Sequence, residues 1–400
     1  MLYVAIMGYG VVGSGVAEVL SENAAIIARK AGQPVAIRRI LDLRSFPDSP
    51  FADRFTTRFE DIEGDPAIAI VVETMGGLHP AYEFVTRCLK SGKSVVTSNK
   101  ELVAAKGDEL LALARDCGQN FLFEASVGGG IPILRPLDQC LAANDVTEVA
   151  GILNGTTNYM LTRMVEDGIS FEDALAEAQQ KGYAERDPSA DIEGHDACRK
   201  ICILASLAFG RHVPPDEVST EGIARITGAD VAAAAALGGV VRLIGRARKY
   251  DGGRLHILVA PMMVEKRCLL SRVDGVFNAV LVRGNAIGDV VFYGRGAGKL
   301  PTASAVVADI IDEAKHLNSR KTLFWDSALP GYVCPAGEEP YAYMLRFAPG
   351  VSATLPGAEA HSTASGETVL RTPPMTPAQL DAALAAVDLS PVSRLRIFPS

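Results

Sequence analysis

The sequence predicts an α/β protein in three parts: a doubly wound parallel sheet over residues 1–150, an α+β domain with a mainly antiparallel sheet over 151–317, and, beyond a linker at 318–340, a small C-terminal unit at 341–400. Three observations carry this. Short β-rich runs alternate with helical patterns through the first 150 residues, four strand-like runs follow one another between Val240 and Tyr293, and a glycine-rich turn, GYGVVG, joins the first strand to the first helix.

LYVAIM, VAIRRIL, AIAIVVET, SVVTS and NFLFEA are apolar runs of strand length, with helical patterns such as YEFVTRCLKSG and GDELLALARDCG between them. Such alternation covers both faces of a sheet with helices, which requires parallel strands. Asn154 to about Ala236 reads as mainly helical. VVRLIGRARKY, RLHILVAPMMV, FNAVLVRG and DVVFYG then read as strands, and LPTASAVVADIIDEAKHL as a helix expected to pack back on the first domain. Turn formers from about Asn318 to Pro340 make the linker. In the last unit YAYMLRF, ETVLRT and SRLRIF are strands, TPAQLDAALAAV a helix and VSATLPGAEAHSTASG a loop.

A chain of 400 residues, 48% hydrophobic, can bury a sizeable core in two or three domains. A formal charge of -8 without a basic stripe argues against nucleic acid or anionic membrane as partners. The start, MLYVAIMGYG, has no basic leader, and no apolar run approaches the roughly 20 residues of a membrane helix. A cytoplasmic protein is expected. The seven cysteines are dispersed and odd in number, as for reduced thiols. Cys198 and Cys202 lie four apart and could hold a soft metal, but no second Cys/His pair supports that, and they read as buried small side chains.

GYGVVG gives each glycine a separate task. Gly8 permits the tight turn, Gly10 lets the backbone approach a pyrophosphate, and Gly13 lets helix and strand pack closely, while Val11 and Val12 open the helix whose N-terminus would hold the phosphates. The sheet is then of the Rossmann type and the cofactor NAD or NADP. Asp42, at the end of the second strand, could bond the adenosine ribose, favouring NAD; Arg44, with Arg38 and Arg39 nearby, could instead meet a 2′-phosphate.

GYAERDPSADIEGHDACRK collects Glu185, Asp187, Asp191, Asp196 and Lys200. If the run from about Asp191 is helical, Asp196 and Lys200 share a face, and the apolar ICILASLAF behind them buries that helix. Taken alone the pair is an ordinary i,i+4 salt bridge. Five ionisable groups around one turn and one buried helix favour a site, because buried charge is expensive unless paired or used. His195 could be a general base or a surface or capping histidine, and is not assigned.

GYGVVGSGV, SVVTSNKELVA, EASVGGGIP, NGTTNYML, GYAERDPSADIEGHDACRK and GRGAGKLPTASAVVAD together resemble the homoserine dehydrogenases, over roughly Tyr3 to Leu317. The resemblance implies reversible NAD(P)-dependent hydride transfer between L-homoserine and L-aspartate 4-semialdehyde, at a branch toward threonine and methionine, in a homodimer or higher homo-oligomer. It implies that Lys200 is the catalytic lysine, with Asp196 binding substrate and orienting it. Burial could lower the pKa of that lysine. Glu185 would take the substrate ammonium, Asp191 a supporting acidic role, and Lys100 a place between nicotinamide and substrate. Thr74 would lie on the nicotinamide side, and Gly182 and Gly298 would approach the cofactor, although either glycine could be a plain turn. Glu124, Val127, Gly129 and Ile131 match a structural monovalent-cation loop (Na or K) that supplies oxygens largely from its backbone, though a tight turn accounts for them equally well.

The tail departs from the family. Its ends resemble a small amino-acid-binding regulatory module of the ACT kind, but the middle is shortened and lacks a clear first helix, which puts feedback by threonine in question. Two other functions compete. A divergent member could act on another short amino-acid alcohol or semialdehyde, against which Glu185 and Asp196 argue. A non-catalytic amino-acid sensor predicts eroded reactive groups, yet Lys100, Glu185, Asp196 and Lys200 are all present. Aspartate-semialdehyde dehydrogenase would need a cysteine nucleophile with a partnered base, and no such setting is evident.

Overall fold

The structure, a computed structural model, describes every residue except Asp251, Asn318 and Ser400, so the expected start of the linker at Asn318 lies outside the described residues. The chain begins β1 (Leu2–Met7), α1 (Val11–Glu22), α2 (Ala24–Ala31), β2 (Val35–Leu41), β3 (Phe55–Thr56), α3 (Glu60–Glu63), β4 (Ile68–Glu73), α4 (Ala81–Lys90), β5 (Ser94–Thr97), α5 (Lys100–Asp116) and β6 (Phe121–Leu122). It continues with β7 (Val146–Ile152), α6 (Gly155–Glu166), α7 (Phe171–Gln180), α8 (Ser189–Ile192), α9 (His195–Phe209), β8 (Ser219–Thr220) and α10 (Gly228–Ala236). Then come β9 (Gly239–Lys249), β10 (Leu255–Glu265), β11 (Phe277–Gly284), β12 (Gly288–Arg295) and α11 (Lys299–Ala314), followed by β13 (Tyr343–Arg346), β14 (Glu359–Ser362), β15 (Thr368–Arg371), α12 (Pro377–Ala386) and β16 (Ser393–Ile397).

Two compact units result. The first comprises Met1–Asn144, Cys202–Pro215 and Gly294–Leu329, the second Asp145–Ile201, Asp216–Tyr293 and Pro330–Ser400. In the first, six parallel strands run in the order β3-β2-β1-β4-β5-β6. Successive connections leave β1 in opposite directions, so the carboxyl ends of β1 and β4 flank a crevice where doubly wound sheets bind ligands. Val4, Ile6, Ile70 and Val72 pack beneath Val16 and Leu20 of α1 and Ala303, Val306 and Ile310 of α11. A Cβ at Gly15 would come within 2.9 Å of Lys299 Cγ and 3.1 Å of the Ala303 Cβ, so a glycine there permits the close approach of α1 and α11.

The second unit is built on a sheet in the order β12-β11-β7-β9-β10-β16-β13-β15-β14, with β8 also on β10. Most neighbours are antiparallel; β8 and β16 run parallel to β10. β10 is buried along its whole length, as its near-continuous apolar run requires. Four strands depart from the sequence expectation: β3 and β8, of two residues each, are too short to show a period and were not expected, and β7 and β14 differ in place. β7 lies where only the tail of the first domain was expected, and β14 falls inside the segment read as a loop, because its four residues are exposed and polar and carry no apolar alternation. The tail strands extend this sheet through β16, and between Arg346 and Glu359 there is no helix. Among the described residues no single helix is long and apolar enough to cross a membrane.

Candidate active site

The acidic segment folds as two helices. α8 ends at Ile192, and Gly194, with φ 86°, turns the chain before α9 starts at His195. A Cβ at Gly194 would meet Thr220 Cγ2 at 3.1 Å, so both backbone and space favour glycine. The buried helix expected from about Asp191 therefore begins four residues later, and Asp191 belongs to the short helix α8 before it. Asp196 and Lys200 do share a face of α9. They are 4% and 7% exposed, and Lys200 Nζ donates to Asp196 Oδ2 at 2.8 Å and to the Leu153 carbonyl at 2.8 Å.

Asn154, which the sequence reading left unassigned, ties this cluster together. Its amide nitrogen donates to Asp191 Oδ1 at 2.7 Å and to Asp196 Oδ2 at 2.9 Å. Its side-chain oxygen caps α6, accepting from Thr157 N at 2.8 Å and Thr157 Oγ1 at 2.9 Å. The only local signal was an Asn ahead of GTTNY, which reads as an ordinary cap; the two carboxylates it bridges lie 37 and 42 residues away. Glu185 lies on the exposed loop after α7, its backbone carbonyl accepting from Gln179 at 3.1 Å. Gly182, φ 72°, follows the end of α7 with open space where a side chain would stand. His195 is exposed and faces Glu193 at 3.2 Å.

In the first unit the glycines of GYGVVG stand in three different surroundings. Gly8 has φ 91°, and a Cβ on it would press within 3.0 Å of the Thr74–Met75 backbone. A Cβ on Gly13 would lie 1.9 Å from the Gly8 carbonyl, which forbids any side chain there. Gly10 opens on empty space and no side chain caps α1, so the first-turn N–H groups are left for an anion. Val11 is exposed and Val12 half-buried at this helix start. These features fit a dinucleotide pyrophosphate.

Asp42 and Arg44, read as rival determinants, hold each other. Arg44 meets both Asp42 oxygens, at 3.0 and 2.9 Å, and the Tyr9 N–H donates to Oδ2 at 2.7 Å. The Arg44 guanidinium, with desolvation opposing it, holds the Asp42 carboxyl far below the usual carboxylate range. Thr74 Oγ1 donates to the Gly8 carbonyl at 2.8 Å, and half-buried Lys100 begins α5 behind the N-cap Asn99. Gly298, at φ 119°, precedes α11.

The Glu124 side chain is fully engaged within the first unit. Its oxygens accept the backbone N–H groups of Ile133 at 2.6 Å, Leu134 at 2.9 Å and Arg135 at 2.7 Å. Its own N–H donates to Asp309 at 2.8 Å, and Arg135 pairs with Asp309. Burial, reinforced by the Glu124 charge, pushes Asp309 up to about 7. A cation at this loop would have to rely on the carbonyls of Glu124, Val127, Gly129 and Ile131. Gly129 is constrained here: φ is 55°, and a Cβ would lie 2.4 Å from the Gly296 carbonyl.

Residues 8–124 match the homoserine dehydrogenase NAD-binding domain and residues 132–311 the homoserine dehydrogenase domain. The chain is 44% identical over 317 residues to the homoserine dehydrogenase of Pseudomonas aeruginosa, covering 79% of this chain and 73% of that one. The crystal structure of a homoserine dehydrogenase from Thiobacillus denitrificans superposes with a TM-score of 0.90 at 37% identity, covering 99% of this chain and 98% of that one. A hyperthermophilic archaeal homoserine dehydrogenase in complex with NADPH matches at a TM-score of 0.67 and 30% identity, over 78% of this chain and 97% of that one. The buried lysine–carboxylate pair, the dinucleotide turn and these likenesses converge, and the chain belongs to the homoserine dehydrogenase family, NAD(P)-dependent oxidoreductases acting on the CH–OH group of homoserine.

Proposed function

We propose that Lys200 and Asp196 handle the proton, and that Asp191, Asp196 and Glu185 bind the substrate, as L-homoserine and L-aspartate 4-semialdehyde interconvert. The observation that carries this reading is the buried Lys200–Asp196–Asn154 cluster. When bound, the nicotinamide supplies or accepts the hydride at its C4. In the reductive direction negative charge builds on the carbonyl oxygen, and the Lys200 ammonium, fixed by Asp196 and the Leu153 carbonyl, stabilises that charge and donates a proton to it. In the oxidative direction the neutral amine takes the hydroxyl proton. Asp191 and Glu185 suit the homoserine ammonium, a natural task for carboxylates. Thr74 and Lys100 serve the nicotinamide end, Gly182 and Gly298 approach the cofactor, and a homodimer or larger homo-oligomer acting in the cytoplasm belongs to the same reading.

For the dinucleotide, the Asp42–Arg44 pair supports use of NADP. Arg44 remains largely exposed while its partner is buried, so the guanidinium can meet a 2′-phosphate without abandoning Asp42. The test is initial-rate absorbance at 340 nm with L-homoserine and each cofactor. Turnover is expected with NADP, and Arg44→Ala should raise the KM for NADP by roughly 10- to 100-fold, the worth of a charge-assisted bond, with little change for NAD. Equal effects on both cofactors would remove Arg44 from phosphate recognition, and no turnover of homoserine by folded protein would defeat the substrate assignment.

A further inference from the structure

Glu73 is a buried acid that the proposed chemistry does not use. It closes β4, is 0% exposed, and its partners are neutral donors. Thr97 Oγ1 donates to Oε2 at 2.5 Å, and the N–H groups of Met75 and Gly76 donate to Oε1 at 2.8 and 3.3 Å. Burial pushes its carboxyl up, and these donors oppose the rise. Around it the ends of three strands are laced together. Thr97, at the end of β5, accepts the Asn99 N–H at 2.9 Å; Asn99 caps α5 through Leu102 N at 3.1 Å and donates to the Gly77 carbonyl at 2.7 Å. On the other side Thr74 Oγ1 reaches the carbonyls of Met7 at 3.1 Å and Gly8 at 2.8 Å. The phosphate-binding turn, the loop after β4 and the start of α5 thus form one hydrogen-bonded lattice through Glu73 and its neighbours. A carboxylate suits the centre because both oxygens accept, so it can serve two loops at once; a glutamine offers one oxygen and turns a donor toward the other loop.

We infer that Glu73 is a positioning residue for hydride transfer, setting the register of Thr74 and Lys100 at the nicotinamide end of the dinucleotide. The inference rests on the roles proposed above for those two residues. It gives a desolvated carboxylate a return: a network that is fully satisfied is rigid, and errors of about 1 Å at the reacting atoms reduce rates by as much as ~100-fold.

The experiment compares Glu73→Gln with the wild type, each with and without Lys100→Ala. It reads kcat, the KM for L-homoserine, the NADPH dissociation constant by fluorescence, and the isotope effect with homoserine deuterated at its carbinol carbon. Glu73→Gln should lower kcat roughly 10- to 100-fold and leave NADPH binding within about threefold of wild type. Its isotope effect should rise as hydride transfer becomes limiting, and the variant should add little in the Lys100→Ala background. Thr97→Val, which keeps the carboxylate and removes its donor, is read the same way if Glu73→Gln fails to fold. Normal kcat and isotope effect in a folded variant would overturn the inference, as would full additivity with Lys100→Ala. If Lys100→Ala alone is unimpaired, the role of Lys100 falls and Glu73 is judged on kcat and isotope effect alone. An impaired Lys100→Ala beside a normal Glu73→Gln defeats only the inference.

Discussion

Asn154 does two jobs with one amide: its oxygen caps α6 and its nitrogen bridges Asp191 and Asp196. Substitution can separate them. Serine keeps a cap and loses the bridge, whereas alanine loses both. Asn154→Ala should therefore be less stable than Asn154→Ser by about 1 kcal/mol, measured by chemical denaturation. Both should lose roughly tenfold or more in kcat/KM, because the buried Asp196 and the half-buried Asp191 lose a shared donor. Equal stability with normal kinetics in both would show that the bridge does nothing for the reaction. The Asp196–Lys200 pair was legible from its i,i+4 spacing ahead of an apolar run. Asn154 and Glu73 were not, because their partners come from distant strands and no local pattern announces them. Asp42 and Arg44 were each visible, but their mutual pairing depends on the turn after β2.

At the scale of elements, the sequence marked β1, β2, β4, β5, β9–β12 and the tail helix well, since each is an apolar run of the right length and period. It ran α8 and α9 together. The break at Gly194 depends on a positive φ and on crowding against Thr220, neither of which the helical pattern of the flanking residues displays. Gly194→Ala should lower stability by about 1–2 kcal/mol, the penalty of left-handed backbone for an L-residue. Through the displaced first turn of α9 it should also reduce kcat. Thermal melts and initial rates check this, and a variant as stable and active as the wild type would mean that the two helices join without harm.

For the whole molecule, the doubly wound sheet was predictable from alternation, but the place of the tail was not, because strand pairing is non-local. Residues 330–400 group with the second unit. Tyr341, Leu345, Phe347, Leu380 and Phe398 share one core with Ile244, Leu258 and Met262. Glu339 meets the fully buried Arg246 at 2.8 Å, where Glu148 also holds it at 2.9 Å. Global stability also carries a pH signature. Asp309 is raised from 3.8 to about 7 in the folded state, so the native protein binds the extra proton, and stability falls as pH rises from about 4 to about 7. Asp309→Asn removes the titrating carboxyl and with it this pH dependence. The stability difference should shift in favour of the variant across this window by up to roughly 4 kcal/mol; a difference that stays flat with pH would contradict the assigned protonation.

The central claim is that the buried Lys200, held by Asp196, moves the proton that accompanies hydride transfer. The most direct measurement is kcat for L-homoserine in Lys200→Ala, with dinucleotide binding followed in the same protein. The account predicts that turnover falls by roughly 100-fold or more, as for loss of a positioned acid–base group, while the dinucleotide still binds normally. Near-normal turnover in that variant would contradict it.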